Sequence, residues 1–213
     1  MKRNAFTMIE LIFVIVVMGI LAAVAMPRLD SDLRQEAVDN ILSAVRYTQH
    51  LALIDNKHDI GSIFWQKRLW NIFFKADGTY YVISSNMDEG GNRDKNESAI
   101  DPANGRLLYS ADSILDSDES PSIFLNKKYG IDNIDFTDCP VGGSANSNYV
   151  GFDYMGRPHK GIYSSTATTM NEYATVMNAN CEITFSFSDN STPVVLHIEQ
   201  ETGYAYIVGQ EDL

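Results

Sequence analysis

Residues 6 to 26 read FTMIELIFVIVVMGILAAVAM, an apolar run with a single charged residue, Glu10. A helix of about 21 residues is long enough to cross a hydrocarbon core about 30 Å thick. Lys2 and Arg3 precede the run, so the positive-inside rule keeps the first residues in the cytoplasm and sends the rest of the chain across the membrane. A charge at the centre of a membrane helix costs about 2.5 to 3.5 kcal/mol, so Glu10 should have a partner.

Two simple interpretations of this run leave features unexplained. A secretory signal peptide is favoured by the basic start and by the small residues AVA at 23 to 25, which fit a cleavage site. Glu10 interrupts the beginning of such a hydrophobic region, however, and the run exceeds the usual length of about 7 to 15 residues. A plain single-pass anchor explains the length but gives Glu10 no role.

The residues around Glu10 resemble the processing site of type IV prepilins and type II secretion pseudopilins. In that family a short basic leader ends in a small residue, Phe becomes the new amino terminus, and Glu is the fifth residue of the mature chain. Here the cut would fall between Ala5 and Phe6. Gly19 and Pro27 stand at the fourteenth and twenty-second mature positions, where such chains often carry Gly and Pro. Ala5 departs from the pattern, since the family usually has Gly before the cut.

This resemblance implies an assembly role for the amino terminus. A prepilin peptidase is expected to remove the leader, residues 1–5, on the cytoplasmic side and to methylate the amine of Phe6. The mature helix, residues 6–26, would cross the membrane and enter a helical bundle with other pilin or pseudopilin subunits on an inner-membrane assembly platform. A methylated amine keeps its positive charge, so Phe6 of one subunit can pair with Glu10 of another, and this pairing favours correct register.

The same resemblance implies a location and an architecture. We expect a single-pass protein of the bacterial inner membrane with a cytoplasmic amino terminus and a periplasmic globular domain, which becomes part of a periplasmic filament after assembly. The host machine would be a type II secretion system or a type IV pilus, since both use the same processing signal.

The stretch after Pro27, residues 27–54, has the pattern of an amphipathic helix. Apolar or small residues recur there at three- and four-residue spacing: Leu29, Leu33, Ala37, Ile41, Ala44, Val45, Thr48, Leu51 and Ala52. Arg46 and Gln49 fall on the polar face. We expect one long helix from Phe6 to about Ile54, with a bend or loosened stretch between Gly19 and Pro27 because proline removes a helical hydrogen bond. Its outer half would lie in a groove of the globular domain.

Residues 55–213 have the pattern of a β-rich domain. The runs SIFWQKRLWNIFF and TYYVISS flank Asp77-Gly78, which predicts a hairpin. NYVGFDYMG predicts a further strand, and CEITFSFSD, PVVLHIEQ and GYAYIVG predict a terminal antiparallel set. A polar stretch at about 86–122 predicts a surface loop or an insertion. The predicted fold is therefore α+β and pilin-like, with a long amino-terminal helix packed on an antiparallel β-sheet.

The last third of the chain resembles, more specifically, the minor pseudopilins of the H type, also described as GspH/FimT-like. In those chains a Phe-rich strand ends in a Gly-Arg turn, and two further strands finish with a Thr-Gly turn. Gly156-Arg157 and Thr202-Gly203 stand at the matching places, whereas Tyr204 stands where such chains often have Arg. Another minor pilin is the alternative.

The net charge of −12 disfavours attraction to nucleic acid or to an anionic membrane surface as the main function. Some FimT-like minor pilins bind DNA for uptake, but a basic patch here would have only Lys127-Lys128 and scattered arginines to draw on. The alternatives to a structural filament subunit are therefore a DNA-uptake minor pilin and a membrane-anchored periplasmic binding protein.

The two cysteines, Cys139 and Cys181, belong to no C-x-x-C pair. In an exported domain they are expected to form a disulfide, and two buried thiols are the alternative.

Motifs for catalysis are missing from the sequence: it contains no nucleophile elbow, P-loop, H-E-x-x-H or S-x-x-K pattern. We therefore expect no enzymatic activity and no cofactor. Four acidic residues could offer oxygen ligands to Ca²⁺: Asp112, Asp116, Asp118 and Glu119. Their spacing does not match an EF-hand loop and lacks its glycine, so a solvated acidic loop without metal is the favoured interpretation.

Overall fold

The computed structural model describes residues 7–90, 92–136, 139, 148–164 and 173–210, without the side chains of 22–32. The chain divides into two units, Met1–Ala37 and Val38–Leu213. Helix α1 spans Met8–Ile54, and its backbone stays helical through Gly19 and Pro27. The expected single long helix is thus present, and among the described residues it has no break at the proline.

Besides four short 3₁₀ segments, the rest of the secondary structure in the described ranges is one short α-helix and eight strands. Their bounds are α2 Leu125–Tyr129, β1 Trp70–Phe74, β2 Tyr81–Ser85, β3 Ile131–Asp135, β4 Tyr149–Phe152, β5 Pro158–His159, β6 Cys181–Phe187, β7 Val194–Ile198 and β8 Ala205–Ile207. The strands form two four-stranded sheets, in the orders β2-β1-β4-β5 and β3-β6-β7-β8, and every pairing is antiparallel. The predicted α+β class is confirmed.

The hairpin predicted at Asp77-Gly78 is confirmed, since β1 pairs with β2 from Trp70 opposite Ser85 to Phe74 opposite Tyr81. Gly78 has a φ of +69°, and a Cβ there would lie 2.3 Å from the carbonyl oxygen of Ile131, so only glycine fits this turn. The strand that the sequence predicts before this turn is longer than β1, which begins only at Trp70.

Residues Trp65–Arg68, expected to extend that strand, form a 3₁₀ turn instead. Trp65 and Gln66 are both fully buried, and two consecutive buried side chains do not fit the alternation of a half-exposed strand. Trp65 packs with Leu69 and Ile162 in an apolar cluster, which draws the chain out of the extended conformation.

Strand β6 has the predicted alternation. Cys181, Ile183, Phe185 and Phe187 are buried, and the residues between them are half-buried. The ring of Phe185 meets that of Phe74 on β1 edge to face, with centroids 5.3 Å apart. Burying side chains of this size contributes about 1.5 to 3 kcal/mol each, and because β1 and β6 belong to different sheets, this contact joins the two sheets.

From Val38 onward, α1 buries one face in the second unit. The buried residues are Val38, Ile41, Leu42, Ala44, Val45, Thr48 and Ala52. The apolar spacing predicts all of these except Val38 and Leu42, whereas the predicted Leu51 is half-buried. Arg46 and Gln49, predicted on the polar face, are half-buried, and Arg46 Nη2 donates to the Ala205 carbonyl oxygen at 3.1 Å. Their long polar side chains reach backbone carbonyls of the second unit.

The polar stretch 86–122 is partly built into the domain. Ala99 N–H donates to the Ile83 carbonyl at 2.8 Å, and Ile83 N–H donates to the Leu108 carbonyl at 3.0 Å, so this segment borders β2. The Asp101 carboxylate accepts hydrogen bonds from the Ala103 N–H at 2.8 Å and from the Ser120 hydroxyl at 2.5 Å. Burial opposes its charge, but these hydrogen bonds lower the pKa of Asp101 below its ordinary value.

Candidate functional site

The carboxylate of interest lies in the first turn of α1. The Thr7 carbonyl accepts hydrogen bonds from the N–H groups of Glu10, at 3.1 Å, and Leu11, at 3.3 Å. The Thr7 hydroxyl oxygen accepts a longer one, at 3.4 Å, from the same Glu10 N–H, so Thr7 satisfies donors at the open end of the helix. The Glu10 side chain is exposed, and a negative charge in a first turn is favoured by the helix dipole.

The predicted cleavage residues, Ala5 and Phe6, lie outside the described residues. The structure describes the residues that follow them, from Thr7 onward. α1 begins at Met8, so Glu10 lies within one helical turn of the start of this helix.

An uninterrupted apolar surface surrounds this helix after Glu10. Every large apolar side chain from Met8 to Leu21 is exposed, from 37% for Val17 to 83% for Met8. They are Met8, Ile9, Leu11, Ile12, Phe13, Val14, Ile15, Val16, Val17, Met18, Ile20 and Leu21. Because consecutive residues point in all directions around a helix, this segment has no polar face, which is typical of a helix that another apolar phase or another protein covers.

Gly19 lies within this surface, and the space beside it is open, since a Cβ placed there would meet no atom within 4 Å. Pro27 continues the helical backbone, and its side chain lies outside the described ones. Among the described residues, no helix is both long enough and apolar enough to span a membrane.

The two cysteines meet in the second unit. Cys139 and Cys181 form a disulfide, with their Cα atoms 4.0 Å apart and 42 positions apart in the sequence. Both residues are buried. The bond ties the segment after β3 to the first residue of β6.

Lys95 forms ion pairs with the acidic loop at residues 112–119. Lys95 Nζ lies 2.7 Å from Asp118 Oδ1, 3.3 Å from Asp116 Oδ2 and 3.9 Å from Glu119 Oε1. Asp112 Oδ1 accepts from the Ile114 N–H at 2.7 Å. Across the described ranges, no group of three or more His, Cys, Asp or Glu side chains is arranged to hold a metal ion. The structure thus brings together three of the four calcium candidates, and a lysine neutralises part of their charge.

The two turns that carry the resemblance at the carboxyl end come together through α1. Gln49 Nε2 donates to the carbonyl oxygens of Gly156 and Thr202, each at 2.9 Å. Gly156 and Gly203 have φ values of +82° and +65°, and a Cβ on Gly203 would lie 2.1 Å from the Gly156 carbonyl oxygen. Sequence reasoning missed Gln49, because a polar residue on the polar side of an amphipathic pattern carries no signal of its partner.

A second buried polar network was also not predicted. The Asp153 carboxylate accepts from Arg157 Nε at 2.9 Å and Nη2 at 2.7 Å, and His159 Nε2 lies 3.3 Å away. His159 Nδ1 lies 2.8 Å from the Thr175 hydroxyl, which donates to Gln66 Oε1 at 2.7 Å. Burial opposes the charge of Asp153, but hydrogen bonds and the charges of its partners lower its pKa to about 2. Burial lowers the pKa of His159, although Asp153 opposes this shift. The network joins the turn after β4 and strand β5 to Gln66 and Thr175.

Comparison with known proteins gives one match. The prokaryotic N-terminal methylation motif matches residues 1–26, the region that contains the predicted cut, Glu10 and Gly19. No curated protein and no solved structure matches the chain. The first 26 residues therefore carry a prepilin methylation motif, which supports a type IV pilin-like protein that prepilin peptidase processes.

Proposed function

We propose that this chain is a minor pilin or pseudopilin, a structural subunit that is cut between Ala5 and Phe6, methylated on Phe6 and assembled through its amino-terminal helix. The observation that carries the proposal is the methylation motif, within which α1 begins and exposes apolar side chains on all sides. Such a surface is costly in water and is covered when the helix lies in a membrane or among the helices of a filament.

Glu10 has a specific place in this proposal. It is the one charged residue between Phe6 and Met26, and it lies in the first turn of α1. In a bundle of such helices its carboxylate would be desolvated, at a cost that an opposite charge offsets. The methylated amine of Phe6 on a neighbouring subunit supplies that charge, so we assign Glu10 to subunit register and not to catalysis.

The proposed location is the inner membrane for residues 6–26, with the second unit in the periplasm. A disulfide between Cys139 and Cys181 is consistent with an oxidising compartment. Among minor pilins we propose the H type, supported by the way Gln49 joins the Gly156-Arg157 turn to the Thr202-Gly203 turn. The filament would serve type II secretion or type IV pilus biogenesis, with other subunits and the inner-membrane assembly platform as partners.

The mass of the mature amino terminus tests this function. The protein is expressed in a host with its prepilin peptidase, and the amino-terminal peptide is measured by mass spectrometry. A methylated Phe6 is the expected result. A terminus at Met26 would identify a secreted protein, and an intact Met1 would leave only an anchor; either result overturns the proposal. A peptidase-deficient host is the control, in which Met1 should be retained.

A further inference from the structure

A cleft of about 400 Å³ opens beside the end of β2. Trp70 and Ser85 face each other across the β1–β2 ladder and therefore lie on the same face of the sheet. A bridge between Ser84 and Ser98 brings residues 96–98 alongside. The side chains that line the cleft are an indole, one thioether and five polar groups: Trp70, Met87, Lys57, Ser85, Asn96, Glu97 and Ser98.

The charges around the cleft are largely matched. Lys57 Nζ lies 2.5 Å from Asp55 Oδ2 and 5.7 Å from the centroid of the Trp70 ring. Trp70 Nε1 donates to the same Asp55 oxygen at 2.9 Å. Burial opposes ionisation of Asp55, but the hydrogen bonds from Lys57 and Trp70 lower its pKa. The Lys57–Asp55 ion pair carries no net charge, so Glu97 leaves the cleft with one negative charge, which disfavours an anionic ligand.

Glu97 is held in place yet incompletely satisfied. Its Oε1 accepts from the N–H groups of Met87, at 2.9 Å, and Asp88, at 3.2 Å. Its Oε2 is buried and has no hydrogen-bond partner in the described part of the chain. The same is true of both amide atoms of Asn86, between Ser85 and Met87, and this residue is only 1% exposed. Buried polar atoms are seldom left unpaired, and of these two residues Glu97 lines the cleft, so it is the acceptor available to a hydrogen-bonding ligand there.

We propose that this cleft binds a neutral sugar residue. A sugar ring has an apolar C–H face, which packs on the Trp70 indole, and hydroxyl groups that both donate and accept. Glu97 accepts from a hydroxyl, Lys57 donates, and the Asn96 amide and the serine hydroxyls do both. This mixture of an aromatic ring with donors and acceptors suits a neutral polyol. The Glu97 carboxylate disfavours a phosphate, and among the described residues no group of three or more His, Cys, Asp or Glu side chains is arranged to hold a metal ion. The inference is independent of the assembly function.

The test uses the full chain in a zwitterionic detergent, because detergents with sugar headgroups would compete. Glucose, galactose, mannose and N-acetylglucosamine are each titrated while tryptophan fluorescence and saturation-transfer NMR are recorded. The chain has two tryptophans, and Trp65 is fully buried, so a change on binding should come from Trp70. We expect at least one of these sugars to give a saturable change in both signals.

Variants locate the binding. Asn96 is exposed, and Asn96→Ala should weaken binding about fivefold to tenfold, the value of about one hydrogen bond. Trp70→Phe should abolish the fluorescence response. Asn178→Ala, at an exposed asparagine outside the cleft, is the matched control and should bind as the wild type does. The proposal is overturned by the lack of saturable binding up to about 100 mM, a hundredfold above a Kd of about 1 mM. It is also overturned by binding that both cleft variants leave unchanged.

Discussion

Gln49 and Gly156 are joined by a hydrogen bond of 2.9 Å from the amide nitrogen of one to the carbonyl oxygen of the other, across 107 positions of sequence. The same nitrogen donates to the Thr202 carbonyl oxygen, also at 2.9 Å. One helix side chain therefore holds two turns that pack so tightly that a Cβ on Gly203 would overlap the Gly156 carbonyl. These two hydrogen bonds attach α1 to the turns at Gly156 and Thr202 in the β-rich domain.

Gln49→Ala should lower the free energy of unfolding by about 1 to 3 kcal/mol, because two carbonyl groups lose their donor. Urea unfolding of the full chain, followed by circular dichroism, measures the change. His50→Ala is the control, since His50 is the exposed next residue of the same helix and should unfold like the wild type. Equal midpoints for the two variants would contradict a stabilising role for Gln49.

Lys160→Met should stabilise the protein at pH 7. The Lys160 side chain is buried, its Nζ has no hydrogen-bond partner among the described residues, and burial lowers its pKa from 10.5 to about 8. Folding below pH 8 therefore places a charged amine in the interior, which costs up to about 3 kcal/mol at 1.36 kcal/mol per pKa unit. The Phe136 ring, 4.3 Å from Nζ, offsets part of this cost.

The pH dependence follows from the sign of that shift. The unfolded chain binds more protons than the folded one between pH 8 and 10.5, so wild-type stability rises with pH in this window. The advantage of Lys160→Met should be full at pH 7 and much smaller at pH 9.5, as measured by urea unfolding of both proteins at each pH. An advantage of the same size at both values would show that packing, and not charge, is responsible.

Removal of the disulfide should destabilise the second unit. Cys139 and Cys181 enclose 42 positions of sequence, for which the chain-entropy estimate is about 4 kcal/mol. Unfolding with and without a thiol reductant measures the loss, and the double variant Cys139→Ser/Cys181→Ser should behave like the reduced wild type. Thiol titration of the denatured, unreduced protein is the control. Two free thiols would contradict the bond.

Glu10→Gln should leave membrane insertion intact and lower incorporation into filaments about tenfold or more, because the amine of the neighbouring Phe6 loses its counter-charge. Sheared filaments and membrane fractions are compared by immunoblotting. Glu201→Gln, at an exposed carboxylate of the second unit, is the matched control. Equal incorporation of both variants would argue against the register role of Glu10.

Patterns with a fixed period were predictable from the sequence. The alternation of Cys181, Ile183, Phe185 and Phe187 places β6 correctly, and Asp77-Gly78 places the first hairpin. Both signals are local, since side-chain direction in a strand and the φ demanded by a turn depend on neighbouring residues. Trp65–Arg68 was mispredicted because its burial comes from residues distant in sequence, including Ile162.

The candidate site was predictable for the same reason. A peptidase recognises a short linear segment, so residues 1–26 carry their signal without reference to the fold, and that is the part of the chain matched by the methylation motif. Glu10 stands out in the sequence because a charge is conspicuous in an apolar run. The cleft beside Trp70 and the Asp153 network give no such signal, since their members are ordinary polar residues spread along the chain.

The sequence by itself determined the helix, most strands, the class of fold and the amino-terminal motif, because periodicity and motif spacing act over a few residues. Only the tertiary structure decided which polar side chains meet. Gln49 donates a hydrogen bond to the Gly156 carbonyl, and Lys95 forms an ion pair with Asp118. Lys160 is buried, and its Nζ has no hydrogen-bond partner among the described residues. Hydrogen bonds and desolvation depend on distances of a few ångströms between groups far apart in the chain, and those distances exist only after the sheets and the helix have packed.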